Sequence, residues 1–133
     1  MANDKKDLWP DEAFTQLTVL PPLQILREQG NSLTERTRGV LRGDVTTSTT
    51  DNKFTHHLAV EAPSLDYRIV VVRVTHSATK LYPADVLVVG TGQPGMIGRA
   101  LSERDLRSAL AKALRTDRVK GIVSALLAQI HAQ

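Results

Sequence analysis

The sequence predicts an α+β domain in which an N-terminal helix precedes a four-stranded antiparallel meander, and two C-terminal helices pack on one face of that sheet. Three observations carry this reading. Alternating or β-branched apolar runs are confined to the stretch from Val45 to Val89, whereas the flanking segments repeat at helical spacing. The links between the strand-like runs are short, and short links join antiparallel neighbours because parallel ones need crossovers of a dozen residues or more. Strands and helices are also segregated along the chain, which is the order of an α+β layer and not of a βαβ repeat.

Residues 1–20 have no clear period and read as an arm, flexible or docking, that carries Trp9 and Phe14. The domain proper is expected over residues 21–133. Pro21-Pro22 opens the first helix, since proline is tolerated in a first turn, and Leu23, Leu26, Leu33 and Val40 follow at near-heptad spacing. Gly30 weakens its middle. The alternative is a break at Gly30-Asn31, with Ser32 and Glu35 supplying a capping box for a second short helix.

Strands follow. Val45 to Thr50 is rich in β-branched residues, Asp51-Asn52-Lys53 is turn chemistry, and Phe54, His56, Leu58, Val60 and Ala62 then alternate with polar Thr55, His57 and Glu61. That pattern is a hairpin with one core face. Pro63 to Asp66 turns the chain into Tyr67–His76, its most β-branched run, and Leu81–Val89 gives the fourth strand.

The C-terminal third reads as two helices. Ser102 and Asp105 form a capping signal, Leu106, Leu110, Ala113 and Leu114 share a face, and Glu103 precedes Arg107 by the favourable four residues. The second helix starts near Thr116-Asp117. Its Val119, Ile122, Val123, Leu126, Leu127 and Ile130 form a stripe wide enough to pack on a sheet.

A chain of 133 residues that is 41% hydrophobic suits one globular core. Without cysteine it has no disulfide, thiolate nucleophile or Cys-ligated zinc, which agrees with a reducing compartment. Lys5 and Lys6 are followed by no apolar signal region, and the longest aliphatic run, Ile69 to Val72, stops at Arg73. A cytoplasmic protein without a membrane partner is therefore expected. The net charge of +3 is uneven: residues 1–20 carry two lysines against four acids, and residues 95–133 carry seven Lys/Arg against three acids.

Gly90-Thr91-Gly92-Gln93-Pro94-Gly95 spells the G-x-G-x-x-G of dinucleotide-binding proteins. In those proteins the glycines run from the first strand of a βαβ unit straight into a helix whose amides hold pyrophosphate. Here the strand is last in its run, and the helix cap lies downstream at Ser102. Pro94 and Gly95 occupy the i+1 and i+2 positions of a type II turn, which predicts Gly95 at positive φ. An anion nest from Gly90, Gly92 and Gly95 beside Arg99 would need no helix and stands as the third functional reading.

Other chemistry is sparse. His56 and His57 are adjacent and point to opposite faces of a strand, so they do not share a metal. His56 and His76 could meet across the sheet, but no third ligand is placed, and neither a metal nor another cofactor is expected. There is no G-x-S-x-G and no gathered set of acids for a metal-dependent nuclease. Arg104, Arg107, Lys112, Arg115, Arg118 and Lys120 could meet phosphates, yet Arg104 and Arg115 lie opposite the apolar face, where solubilising charge belongs. Tyr67 and Tyr82 alone do not make a stacking platform for RNA.

The segments "PPLQILREQGNSLTERTRGVL", "FTHHLAVEAPSLDYRIVVVRVTHSATKLYPADV" and "VKGIVSALLAQI" resemble a family of small bacterial proteins of uncharacterised activity. The resemblance covers roughly residues 20–90 and 117–130. It implies a single compact domain and a bacterial origin and brings no activity or site residues. The glycine insertion around Gly90–Gly98 is where this chain departs from the family.

The function expected from the sequence is therefore a non-enzymatic protein-binding module, an accessory or regulatory subunit. It would act through its sheet edges and through Trp9 and Phe14 of the arm, on a protein partner or a second copy. The alternative is a nucleic-acid-binding accessory protein that uses the basic C-terminal helices, with weak and non-specific binding.

Overall fold

The computed structural model of the chain describes residues 7–15, 18–90 and 95–133. It has five antiparallel strands in the order β1-β2-β3-β4-β5 and three α-helices. The strands are β1 (Arg42–Thr50), β2 (Lys53–Ala62), β3 (Tyr67–Ser77), β4 (Ala84–Val88) and β5 (Gly95–Ala100). The helices are α1 (Pro22–Arg36), α2 (Glu103–Leu114) and α3 (Asp117–His131). The expected meander is thus present with one more strand than predicted. The first helix is also not N-terminal, because an exposed segment with a 3₁₀ turn at Asp11–Phe14 precedes it.

The fifth strand comes from the glycine-rich stretch. Val86 faces Gly98 and Ala84 faces Ala100 across the β4–β5 ladder, so this segment is held by cross-strand pairing that its own weak β-propensity does not announce. Gly95 is its first residue and has no positive φ, which overturns the prediction made from a type II turn. Gln93 and Pro94 lie outside the described residues.

α1 runs unbroken through Gly30, so the capping box at Ser32 is not used. The reason is a close approach of helix and strand. A Cβ on Gly30 would lie 3.0 Å from the Gly43 carbonyl oxygen, and a Cβ on Gly43 would collide with the Gly30 backbone. Thr34 fixes the crossing by accepting the Gly43 N–H at 3.1 Å. The buried face of α1 is Pro22, Ile25, Leu26 and Gly30, whereas Val40 lies past the helix end and is exposed.

The core sits between α1, α2 and one face of the sheet. Leu58, Val60, Val72, Val74, Val86 and Val88 meet Ile25, Leu26, Leu106 and Leu110 there, all 4% exposed or less. A bulge in β3 at Val71 lets both Val71 and Val72 bury while the alternation of β2 continues. α2 is capped as expected by Ser102, which accepts the Asp105 N–H at 3.2 Å. Arg107 then ties α2 to α1 by pairing with Glu28 at 3.2 Å as well as with Glu103 at 3.3 Å. α3 departs from expectation. Of its apolar stripe only Val119 is buried, and Ile122, Val123, Leu126, Leu127 and Ile130 are half-buried at the rim of the core.

Candidate functional site

The most organised polar cluster is built by strand register. Asp51 and Asn52 both have positive φ, at 51° and 64°, as a two-residue type I′ hairpin turn requires. That turn sets Thr50 opposite Lys53 and therefore Thr47 opposite His56. Across the next ladder Phe54 faces His76 and His56 faces Val74, so His56 and His76 are diagonal neighbours on the core face. Both are buried, at 3% and 5% exposure, and their Nε2 atoms are 2.8 Å apart.

The outer partners fix every proton. His76 Nδ1 lies 2.8 Å from the Ser77 carbonyl oxygen and 3.0 Å from that of Lys80. Carbonyls only accept, so His76 Nδ1 carries its hydrogen, and in the neutral ring Nε2 is the acceptor. His56 Nε2–H is then the donor between the rings, and His56 Nδ1 accepts from the Thr47 hydroxyl at 2.8 Å. One direction of donation runs from Thr47 through both imidazoles to the turn carbonyls. Burial, then the neighbouring His76, His57 and Arg27, push the pKa of His56 down to about 4. His57, on the opposite face, is also lowered, by burial and by Arg73 and Arg68.

Hydroxyl, imidazole and orienting group in series is the order of an activated nucleophile. Two features set this cluster apart from one. His56, its pKa lowered by burial, is a poor base, and its orienting partner is an imidazole where a carboxylate would stabilise the imidazolium. Thr47 itself stands exposed on edge strand β1. The cluster instead clamps β1, β2 and β3 together in one register. Among the described residues no group of three or more His, Cys, Asp or Glu side chains converges as a metal site.

Beside His76 a shallow cleft of about 180 Å³ is lined by Lys53, Thr75, Ser77, Lys80, Asp85 and Arg99, among others. It is smaller than the roughly 300 Å³ at which small-molecule sites begin. Arg99 is engaged with Asp85 at 2.9 Å, and this hydrogen bond raises its pKa further. Of the anion loop, Gly90 has φ of 92°, Gly95 belongs to β5, and Gly92 lies outside the described residues. On the β4–β5 ladder Gly95 faces Val88 and Arg99 faces Asp85. The chain passes from β4 to another strand and not to a helix. Gly90 instead packs under Arg118, whose Nε–H donates to the Val89 carbonyl at 2.7 Å.

The basic set divides in the same way. Arg107 is committed to Glu28 and Glu103, which raise its pKa, and Arg118 is tied to the main chain. Arg104, Lys112 and Arg115 remain exposed, on α2 and at its C-cap. Trp9 and Phe14 are 70% and 69% exposed, and they meet each other edge-to-face with centroids 6.3 Å apart. Leu8 and Val19 are exposed nearby. Among the described residues the arm is hydrogen-bonded to the domain where the two join. Leu20 N–H donates to Glu103 at 3.3 Å, and the Tyr82 hydroxyl donates to the Leu20 carbonyl at 2.9 Å. Burial, then Glu103, push the Tyr82 pKa up to about 12, so its hydroxyl keeps the proton it donates.

The sequence reading missed Thr47, and it placed Arg118 among the phosphate-facing bases without its contact to Val89. Thr47 was accessible from the turn: a two-residue loop at Asp51-Asn52 dictates its pairing with His56. Arg118 had no such signal, because its partner is a main-chain carbonyl remote in sequence. Comparison with protein-family models, with curated proteins and with solved structures finds no match to this chain.

Proposed function

We propose that the chain is a non-enzymatic protein-binding module and that its N-terminal arm is the element presented to the partner. The observation that carries this reading is the pair Trp9 and Phe14, large aromatics held in water against each other and flanked by Asp7, Asp11 and Glu12. Exposed aromatic anchors are the residues from which interfaces draw most of their energy, and losing one costs about 2 kcal/mol or more. The edges of β1 and β5 offer a second mode, in which a strand of the partner extends the sheet. A composition without cysteine accords with work in the cytoplasm. No described helix is long and apolar enough to cross a membrane.

The experiment is deletion of residues 2–18. A shortened chain that keeps its melting temperature but loses a partner, or elutes as a smaller species, supports the reading. One that keeps its elution volume and every partner overturns it. The alternative nucleic-acid reading rests on the exposed Arg104, Lys112, Arg115 and Lys120, a small footprint for polyanion binding.

A further inference from the structure

α3 is built unlike the other helices of this fold. α1 carries Arg27, Glu28, Glu35 and Arg36, and α2 carries Glu103, Arg104, Asp105, Arg107 and Lys112, as helices facing water on one side do. α3 has no charged residue from Gly121 to Ile130 on either side. Its inward stripe is only half covered, and its outward positions, Gly121, Ser124, Ala125 and Ala128, are exposed. Covering this flank desolvates almost nothing polar beyond one serine and one glutamine, so its burial is nearly free of the usual penalty.

We propose that this flank of α3 receives the N-terminal arm of a second copy of the chain. The inference rests on the reading of the arm as a ligand and names its acceptor. Charge complementarity selects the occupant. The described arm residues 7–15 hold Asp7, Asp11 and Glu12 and no base, while four bases, Lys112, Arg115, Arg118 and Lys120, outnumber one acid, Asp117, around the start of α3. Shape agrees. Short side chains along the outward flank leave room for the flat Trp9 and Phe14 rings to lie against the helix. Among the described residues the two rings meet each other and stay largely exposed. Two arms exchanged about a twofold axis would make each contact twice, which raises avidity without any new surface.

The test starts with the solution mass of the full chain at tens of micromolar protein, measured by light scattering on a sizing column. The expected mass is about twice 14.6 kDa. Trp9→Ala with Phe14→Ala, and separately Ala125→Glu with Ala128→Glu, should each give a monomer with the melting temperature unchanged. A labelled peptide of residues 2–19 should bind the Trp9→Ala/Phe14→Ala chain, and binding should vanish when Ala125→Glu and Ala128→Glu are added. A monomeric wild-type chain, a dimer that survives the glutamates, or peptide binding indifferent to them overturns the proposal. If it fails in these ways while deletion of the arm still costs a different partner, only the acceptor is wrong. If deletion also changes nothing, the reading of the arm falls with it.

Discussion

Acidification is expected to loosen this fold through His56. Folded, the ring is held neutral by burial and by its neighbours and takes a proton only near pH 4, whereas in the unfolded chain it does so at 6.5. Between these values the unfolded state binds the extra proton, so stability rises with pH. The contribution is complete above about pH 6.5, shrinks as pH falls through that window, and is gone below about pH 4. At about 1.36 kcal/mol per pH unit, the interval corresponds to about 3 kcal/mol, a large share of a typical domain's stability. His57 is lowered too and acts in the same direction. Carboxylates titrate in the same range, so the measurement is a comparison: urea unfolding of the wild type and of His56→Gln at steps from pH 7 down to 4. Glutamine can accept from Thr47 and donate towards His76 but cannot titrate. The variant should be about 1 kcal/mol less stable at neutral pH, from imperfect hydrogen bonding. On acidification the wild type should lose about 3 kcal/mol more than the variant does. Parallel curves for the two proteins would refute the argument that His56 is held neutral.

Gly43→Ala should destabilise the fold by about 2 kcal/mol or more in urea, because its Cβ meets the Gly30 backbone and not a flexible side chain. Gly30→Ala should cost less, since its clash with the Gly43 carbonyl oxygen is milder and alanine is the better helix former. DNA and RNA binding should be weak, indifferent to sequence and abolished by moderate salt, with a shallow slope of log K against log salt. A steep slope, or sub-micromolar binding lost on changing Arg104, Lys112 and Arg115 to glutamate, would revive the nucleic-acid reading. Calorimetric titration with ATP, GTP and NAD should give no saturable heat, because β4 leads to a strand and not to the helix N-terminus that holds pyrophosphate.

Elements with a strong period of their own were legible in the sequence. The alternation from Phe54 to Ala62 predicted the core face of β2, and Ser102 and Thr116 marked the starts of α2 and α3. What escaped depends on partners. β5 contains two glycines and owes its existence to the edge of β4. Gly30 looks like a flaw in a helix until the strand it must clear is in place. The meeting of His56 with His76 was conceivable from strand order, but the direction of its protons depends on the turn carbonyls of Ser77 and Lys80, which carry no residue-type signal. Trp9 and Phe14 were picked out by rarity and by their irregular surroundings.

The tethering of α3 has a dynamic consequence. At its first turn the Thr116 cap, the Arg118 strap to Val89 and buried Val119 hold it to the domain, and beyond that turn its hold is the half-buried stripe from Ile122 to Ile130. Opening should therefore begin at His131 and travel backwards, stopping near Val119 without disturbing the sheet. Amide hydrogens would exchange along a gradient, quickest at the free end and slowest beside the strap. A partner that covers the outer flank would flatten that gradient before it changed any other property of the protein.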